Sequence, residues 1–208
     1  MVLGSGARGV QHTLFTPIAR VFLRIGLTPN AVTVIGTAAT SIAALVLLPM
    51  GYLVVGSLVL GVLVLTDSID GIMAREAKTS STYGAFLDST LDRVSDAAIF
   101  AAVLLWFFFH SDGAWQLAGM LTALACLAFG GIVPYVRAKA ESLGVDASAG
   151  IAERADRIVV VLVATFLTGL GVPAPVMVVL LGILAVLSLA TVLQRILTTL
   201  VALKGTHG

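Results

Sequence analysis

Four aspartates stand in apolar surroundings at spacings that set their geometry. The stretch reads Asp67-Ser-Ile-Asp70-Gly71-Ile-Met-Ala74-Arg75, then eight residues, then Gly84-Ala-Phe-Leu-Asp88-Ser-Thr-Leu-Asp92. An ionised Asp at the centre of a membrane helix costs about 2.5–3.5 kcal/mol on insertion scales, so four facing lipid would cost on the order of 10 kcal/mol. Such groups need a compensating partner. In a helix, Asp67 and Asp70 are three apart and share a face, about 4.5 Å apart along the axis. Asp88 and Asp92 are four apart and share a face of the next helix. Oxygen-only donors suit a hard cation such as Mg2+, Mn2+ or Ca2+. His12, His110 and His207 are scattered and do not suggest zinc. Two Mg2+ ions would balance four carboxylates, and two-metal sites hold their ions about 3.5–4 Å apart to clamp both oxygens of a phosphoryl displacement.

The small residues around the acids shape the same site. Gly71 and Gly84 remove bulk where the two helices meet, so a flat group can approach the backbone. Arg75, one turn beyond Gly71, is placed to meet a phosphate. Ser80, Ser81 and Thr82 can cap the following helix, whose N-terminus favours anionic groups. Gly61, Gly119 and Gly130 read instead as positions that let membrane helices pack closely.

The elements that carry these residues follow from composition. The 208 residues are 59% hydrophobic and 11% charged, against about 25% charged in a soluble domain. The net charge of +1 offers nothing to a nucleic acid. Apolar runs near 31–49, 52–74, 84–109, 115–138, 156–171 and 174–200 are each read as one crossing of about 20 residues. The expected architecture is therefore all-α, a polytopic membrane protein with six transmembrane helices in a single domain, residues 1–208. All twelve Lys and Arg lie in the N-terminus, near 75–93, near 137–157 or toward the C-terminus. The short breaks at 49–51, 110–114 and 171–174 contain none, so both termini and the aspartates are expected on the cytoplasmic side of a cell membrane. A segment near 10–26 places residues 14, 15, 18, 21, 22 and 25 on one apolar face opposite Arg20 and Arg24, which predicts an amphipathic interfacial helix. Asn30 is the expected N-cap of the first span. The first residues lack the apolar core of a signal peptide. Cys126 has no second cysteine to pair with and reads as a small buried hydrophobe.

The full pattern, D-x-x-D-G-x-x-A-R-x8-G-x-x-x-D-x-x-x-D, resembles the signature of the CDP-alcohol phosphotransferase family, with every position filled. The resemblance implies a metal-dependent transferase of six spans, acting as a homodimer, that moves a phosphatidyl group from CDP-diacylglycerol to an alcohol and releases CMP. By that resemblance Asp67, Asp70, Asp88 and Asp92 ligate Mg2+, with Mn2+ as a substitute, and Asp92 is also the general base. Pro29, Asn30, Thr33, Asp67, Gly71, Ala74, Arg75, Ser81, Thr82 and Gly84 are then expected to hold the CDP-diacylglycerol.

A second polar region contains Tyr135-Val-Arg137-Ala-Lys139-Ala-Glu141 and Gly150-Ile-Ala-Glu153-Arg154-Ala-Asp156-Arg157. Arg137, Lys139, Arg154 and Arg195 share one membrane depth and form an expected site for an acceptor phosphate. Arg157 and Lys204 are assigned instead to the cytoplasmic charge excess and to anionic lipid heads. The region is similar to the actinobacterial phosphatidylinositol-phosphate synthases, which implies inositol phosphate as the acceptor. Glycerol phosphate, the acceptor of phosphatidylglycerophosphate synthases, fits the same charge. A cation transporter is the remaining reading of intramembrane acids, and the absence of acids at greater depth speaks against it.

Overall fold

The computed structural model describes residues 5–66, 69–77, 81–148, 150 and 153–205. Among them are eight helices: α1 Ser5–Arg24, α2 Pro29–Leu47, α3 Leu53–Thr66, α4 Ile69–Glu76, α5 Thr82–His110, α6 Gly113–Ser142, α7 Arg154–Gly169 and α8 Ala174–Gly205. No strand occurs among the described residues, as the apolar runs require. Among the described residues, four segments are long and apolar enough to cross a membrane: Pro29–Leu47, Leu53–Glu76, Gly113–Ser142 and Ala174–Lys204. The second expected span is carried by α3 and α4 in succession, and Asp67 and Ser68 between them lie outside the described residues.

Helix boundaries follow local chemistry. The cap of α2 is Thr28, not Asn30: its hydroxyl accepts from Ala31 N at 3.2 Å. Pro29 explains the shift, because it favours the first helical position and holds the residue before it extended. Thr28 accordingly has φ −86° and ψ 151°. Helix α7 starts two residues before the expected span, at Arg154. There Glu153 and Asp156 form a reciprocal capping box, with Asp156 Oδ2 accepting from Glu153 N at 3.1 Å. Gly51 and Gly171, with φ of +86° and +101°, supply the left-handed residues that turn the chain after α2 and α7.

The packing is that of helices in an apolar medium. Phe100, Phe107, Leu60, Val161, Leu181 and Met177 join α3, α5, α7 and α8 in one core. Helix α5 lies between α2 and α6, and α7 lies between α3 and α8. The outward faces carry Val34, Ile42, Val62, Ile183, Val186 and Leu197, all exposed, while Thr37, Thr40, Ser57, Thr165, Ser188 and Thr191 are buried. That inversion suits lipid outside and close helix contacts inside. Several of the buried hydroxyls return their hydrogen bond to the preceding turn, as Thr165 does to Val161 O at 2.7 Å.

A separate, smaller cluster seats α1 on α4. Ala19, Ile69, Ile72 and Met73 are buried there against Phe15, Phe22 and Leu23. The expected apolar face of α1 is thereby divided. Phe15 and Phe22 turn to α4, whereas Ile18, Val21 and Ile25 stay exposed. Arg20 Nε donates to Glu76 Oε2 at 3.1 Å and closes the far edge of the contact.

Close helix approach is demanded at Gly169, where an added Cβ would lie 2.8 Å from the backbone nitrogen of Val54. At Gly61 an added Cβ meets nothing within 4 Å. Gly169→Ala is expected to destabilise the detergent-solubilised protein by about 1–3 kcal/mol through overpacking, and Gly61→Ala to leave its thermal unfolding unchanged. Equal melting temperatures for the two variants would refute the α3–α7 contact.

Candidate functional site

Helices α2, α4 and α5 converge at their site-facing ends to leave a cavity of about 510 Å³. Its wall is formed by Thr28, Pro29, Asn30 and Thr33 from the start of α2, Asp70, Gly71, Ala74 and Arg75 from α4, and Ser81, Gly84, Ala85 and Asp88 around the start of α5. The first segment is distant in sequence from the other two, and together the three supply nearly every residue expected to hold a nucleotide-linked lipid. Thr28 and Ala85 are additions that the motif did not point to. Thr82 opens α5 without lining the cavity, and Asp67 lies outside the described residues.

The cavity's polar groups are held by their neighbours. Asp70 is buried, and its two oxygens accept from the Thr33 hydroxyl and from Gly71 N. The two bonds satisfy the buried carboxylate and fix its direction. Ser81 caps α5, its hydroxyl accepting from Gly84 N at 3.1 Å. A Cβ on Gly84 would lie 3.3 Å from Asn30 Oδ1, whereas one on Gly71 would meet nothing within 4 Å. Gly84 therefore sets the approach of α5 to α2, and Gly71 leaves space open.

The acids separate into two environments. Asp70 and Asp88 share the cavity wall. Asp92, one turn deeper on α5, meets two guanidinium groups: Arg154 Nη1 lies 3.0 Å from Oδ1 and Arg93 Nη2 lies 3.3 Å from Oδ2. Among the described residues, no three His, Cys, Asp or Glu side chains are gathered closely enough to hold a metal ion. The donor chemistry nonetheless fits a hard divalent cation, since Asp70, Asp88 and Asp92 offer only carboxylate oxygens.

The members of the expected phosphate-binding group differ in burial. Arg137 and Lys139 are exposed near the end of α6, and Arg137 Nε donates to Glu141 Oε1 at 2.8 Å. Arg195 is buried on α8, where Nη1 donates to Val133 O at 2.8 Å and Nη2 to Ser148 O at 3.4 Å. It thus ties α8 to α6 and to the polar loop. Gly150 of that loop leaves no room for a Cβ, which would sit 2.8 Å from Thr191 Cγ2 and 3.1 Å from Arg195 Nη2. Beyond the helix ends, hydrogen bonds from Ser148 hold the Asp146 carboxyl below its ordinary pKa and shape the exposed loop. Arg154, at the start of α7, reaches Asp92 and is the point where the basic group touches the acidic one.

Two further residues belong to this contact. Asp96, 6% exposed, accepts from Arg154 Nε at 3.0 Å. Arg157, assigned by sequence to the lipid-head surface, is instead 1% exposed, with Nη2 4.0 Å from Asp96 Oδ2. The reason is its place on α7, three residues after Arg154, which turns it into the bundle toward α5. A signal for Asp96 exists in the sequence: it continues the four-residue step of Asp88 and Asp92. No local signal marks Arg157.

Known proteins resemble this chain over most of its length. Residues 26–149 match the family model described as CDP-alcohol phosphatidyltransferase. A phosphatidylinositol phosphate synthase of Cutibacterium acnes is 46% identical over 160 residues, which are 76% of this chain and 75% of the relative. The crystal structure of the phosphatidylinositol phosphate synthase of Mycobacterium tuberculosis with CDP-DAG bound superposes with a TM-score of 0.84 at 39% identity, covering 90% of this chain and 94% of that one. The structure of the same relative with manganese and citrate also gives a TM-score of 0.84 at 39% identity, covering 89% and 88%.

The cap on α5 offers a direct check of the cavity's edge. Ser81→Ala removes the acceptor of Gly84 N and is expected to cost about 1 kcal/mol of stability. Thermal unfolding of the variant in detergent measures the loss, and an unshifted transition would show that the cap does not hold this wall.

Proposed function

The chain belongs to the CDP-alcohol phosphatidyltransferase family, and from that premise we propose that it transfers the phosphatidyl group of CDP-diacylglycerol to inositol phosphate, yielding phosphatidylinositol phosphate and CMP. One observation carries the reading: a single cavity joins Pro29, Asn30 and Thr33 to Asp70, Gly71, Ala74, Arg75, Gly84 and Asp88, and α5 leads from its wall to Asp92 and the arginines. The relative from Mycobacterium tuberculosis, with CDP-DAG in one structure and manganese in another, supports the donor and the metal dependence.

The chemistry follows from the residues. Gly71 leaves the open face that admits the CDP moiety, and Gly84 with Asn30 and Ser81 forms its rim. Arg75 neutralises part of the diphosphate charge, and Thr82, with Ser81, sits at the helix end nearest the nucleotide. Asp92 accepts the proton of an inositol hydroxyl, whose oxygen forms a bond to the donor's β-phosphorus. The bond from that phosphorus to the bridging oxygen breaks, and CMP leaves with the electron pair. Asp67, Asp70, Asp88 and Asp92 would hold two Mg2+ ions, or Mn2+ in their place, which supply charge neutralisation to the diphosphate. Arg137, Lys139, Arg154 and Arg195 receive the acceptor's phosphomonoester, a charge that a neutral alcohol would not need.

The membrane setting belongs to the same reading. The whole chain acts as one domain with six crossings, α2, α3 with α4, α5, α6, α7 and α8, and α1 lies in the interface. Both termini and the site face the cytoplasm of a cell, because the basic residues cluster at that end. Assembly as a homodimer is supported by the family resemblance.

Asp92→Asn is expected to lower kcat by about 10²–10⁴-fold, as loss of a general base does, with folding retained. Near-normal CMP release would sink the base assignment. Chelation by EDTA is expected to stop CMP release and added Mg2+ to restore it; turnover that persists in EDTA would refute the metal requirement. Arg154→Ala is expected to raise the acceptor KM by about 10–100-fold, the loss of charge-assisted hydrogen bonds, with a smaller effect on the donor. Assays offering inositol phosphate and glycerol phosphate separately identify the acceptor, and faster turnover with glycerol phosphate would displace inositol phosphate from that role.

A further inference from the structure

Asp96 lies outside the aspartate signature, yet it is the most enclosed acid of α5. Asp88, Asp92 and Asp96 recur every four residues and so share a face, each about 6 Å further along the axis. Ionised Asp96, 6% exposed, needs compensation from its surroundings. Helix α7 provides it with two guanidinium groups, Arg154 Nε at 3.0 Å from Oδ1 and Arg157 Nη2 at 4.0 Å from Oδ2. Arg154 does two things at once, since its Nη1 also lies 3.0 Å from Asp92 Oδ1. A guanidinium is planar and rigid. Fixing Nε on one carboxylate therefore sets the direction in which Nη1 points.

We infer that Asp96 is a positioning residue for the transfer reaction: by anchoring Nε of Arg154 it aims that guanidinium at Asp92 and at the acceptor's phosphate. The inference rests on the transferase reading above and assigns Asp96 no contact with substrate. Three features of the geometry carry it. One arginine bridges two carboxylates a single helical turn apart. The anchoring carboxylate is buried while the one it serves is more open, with 16% of the Asp92 side chain exposed. Arg157, also on α7, places a second guanidinium 4.0 Å from the anchor's other oxygen, Oδ2. A role confined to neutralising Arg157 would leave kinetics unchanged in any variant that folds.

The experiment compares purified wild-type protein, Asp96→Asn, Arg154→Gln and the double variant, with CDP-diacylglycerol as donor and inositol phosphate as acceptor. Asp96→Asn is expected to lower kcat by about 10–100-fold, the scale of a small misplacement. It should also raise the acceptor KM and leave the donor KM within about twofold. The double variant is expected to be no slower than Arg154→Gln alone, because residues acting through one another are not additive. Wild-type kcat in folded Asp96→Asn, or losses that multiply in the double variant, would overturn the inference. Should Asp96→Asn not fold, Asp96→Glu keeps the charge beside Arg157 but displaces the carboxylate. It is expected to fold and to show the same split between acceptor and donor. Unchanged kinetics, or equal losses toward both substrates, would overturn the proposal. Wild-type protein that releases no CMP with any phosphorylated polyol would refute the transferase reading itself, a result distinct from failure of the variants to differ.

Discussion

Charge buried in an apolar bundle must be matched within the bundle, and α5 is where this requirement bears hardest. Its aspartates descend one face from the cavity wall to the core. Asp88 borders open space, Asp92 meets Arg154 and Arg93, and Asp96 meets Arg154 and Arg157. Apart from Arg93, on α5 itself, the partners come from α7, 58 residues away in the case of Arg154 and Asp96. Helix α7 must therefore begin at the right depth and present two arginines inward. The capping box at Glu153 and Asp156 fixes that beginning, and packing against α3 and α8 fixes its rotation. A shift of one residue would rotate each guanidinium about 100° away from its acid.

The two halves of the site are supported differently. The cavity half rests on small residues and caps. Thr28 starts α2, Ser81 starts α5, Gly84 lets them approach, and α1 braces α4 through a small apolar cluster. In the basic half, Arg195 rests on hydrogen bonds to backbone. Arg195 spans from α8 to Val133 and Ser148, and Gly150 yields the space it occupies. Asp70 and Asp92 are preorganised in such a site, because Thr33, Gly71 and Arg154, the groups that orient them, belong to packed helices.

Much of this is legible in the chain itself. The apolar runs locate the helices, and errors at their ends come from caps. Asn30 has the right chemistry for an N-cap, but Pro29 moves the helix start and gives the position to Thr28. The signature spacing anticipates half of the cavity wall, Asp70, Gly71, Ala74, Arg75, Gly84 and Asp88, and the family resemblance adds Pro29, Asn30, Thr33 and Ser81. Asp96 is readable as a further step of the aspartate register, one turn past Asp92, where the motif stops. Arg157 is not readable: in sequence it is one more basic residue in a cluster at a helix end.

The sequence alone determined the class of protein, the helical segments, the bias of basic residues toward one end of the spans and the spacing of the acids. These are local properties, set by hydrophobicity and by the 3.6-residue turn. Tertiary structure decided which charges meet. It divided the acids between an open cavity and a set of arginines, and it took Arg157 from the surface into the core. It also made Arg154 the link between two turns of α5. Ion pairing across helices depends on their rotation and depth, which packing of the whole bundle sets and no short stretch of chain encodes.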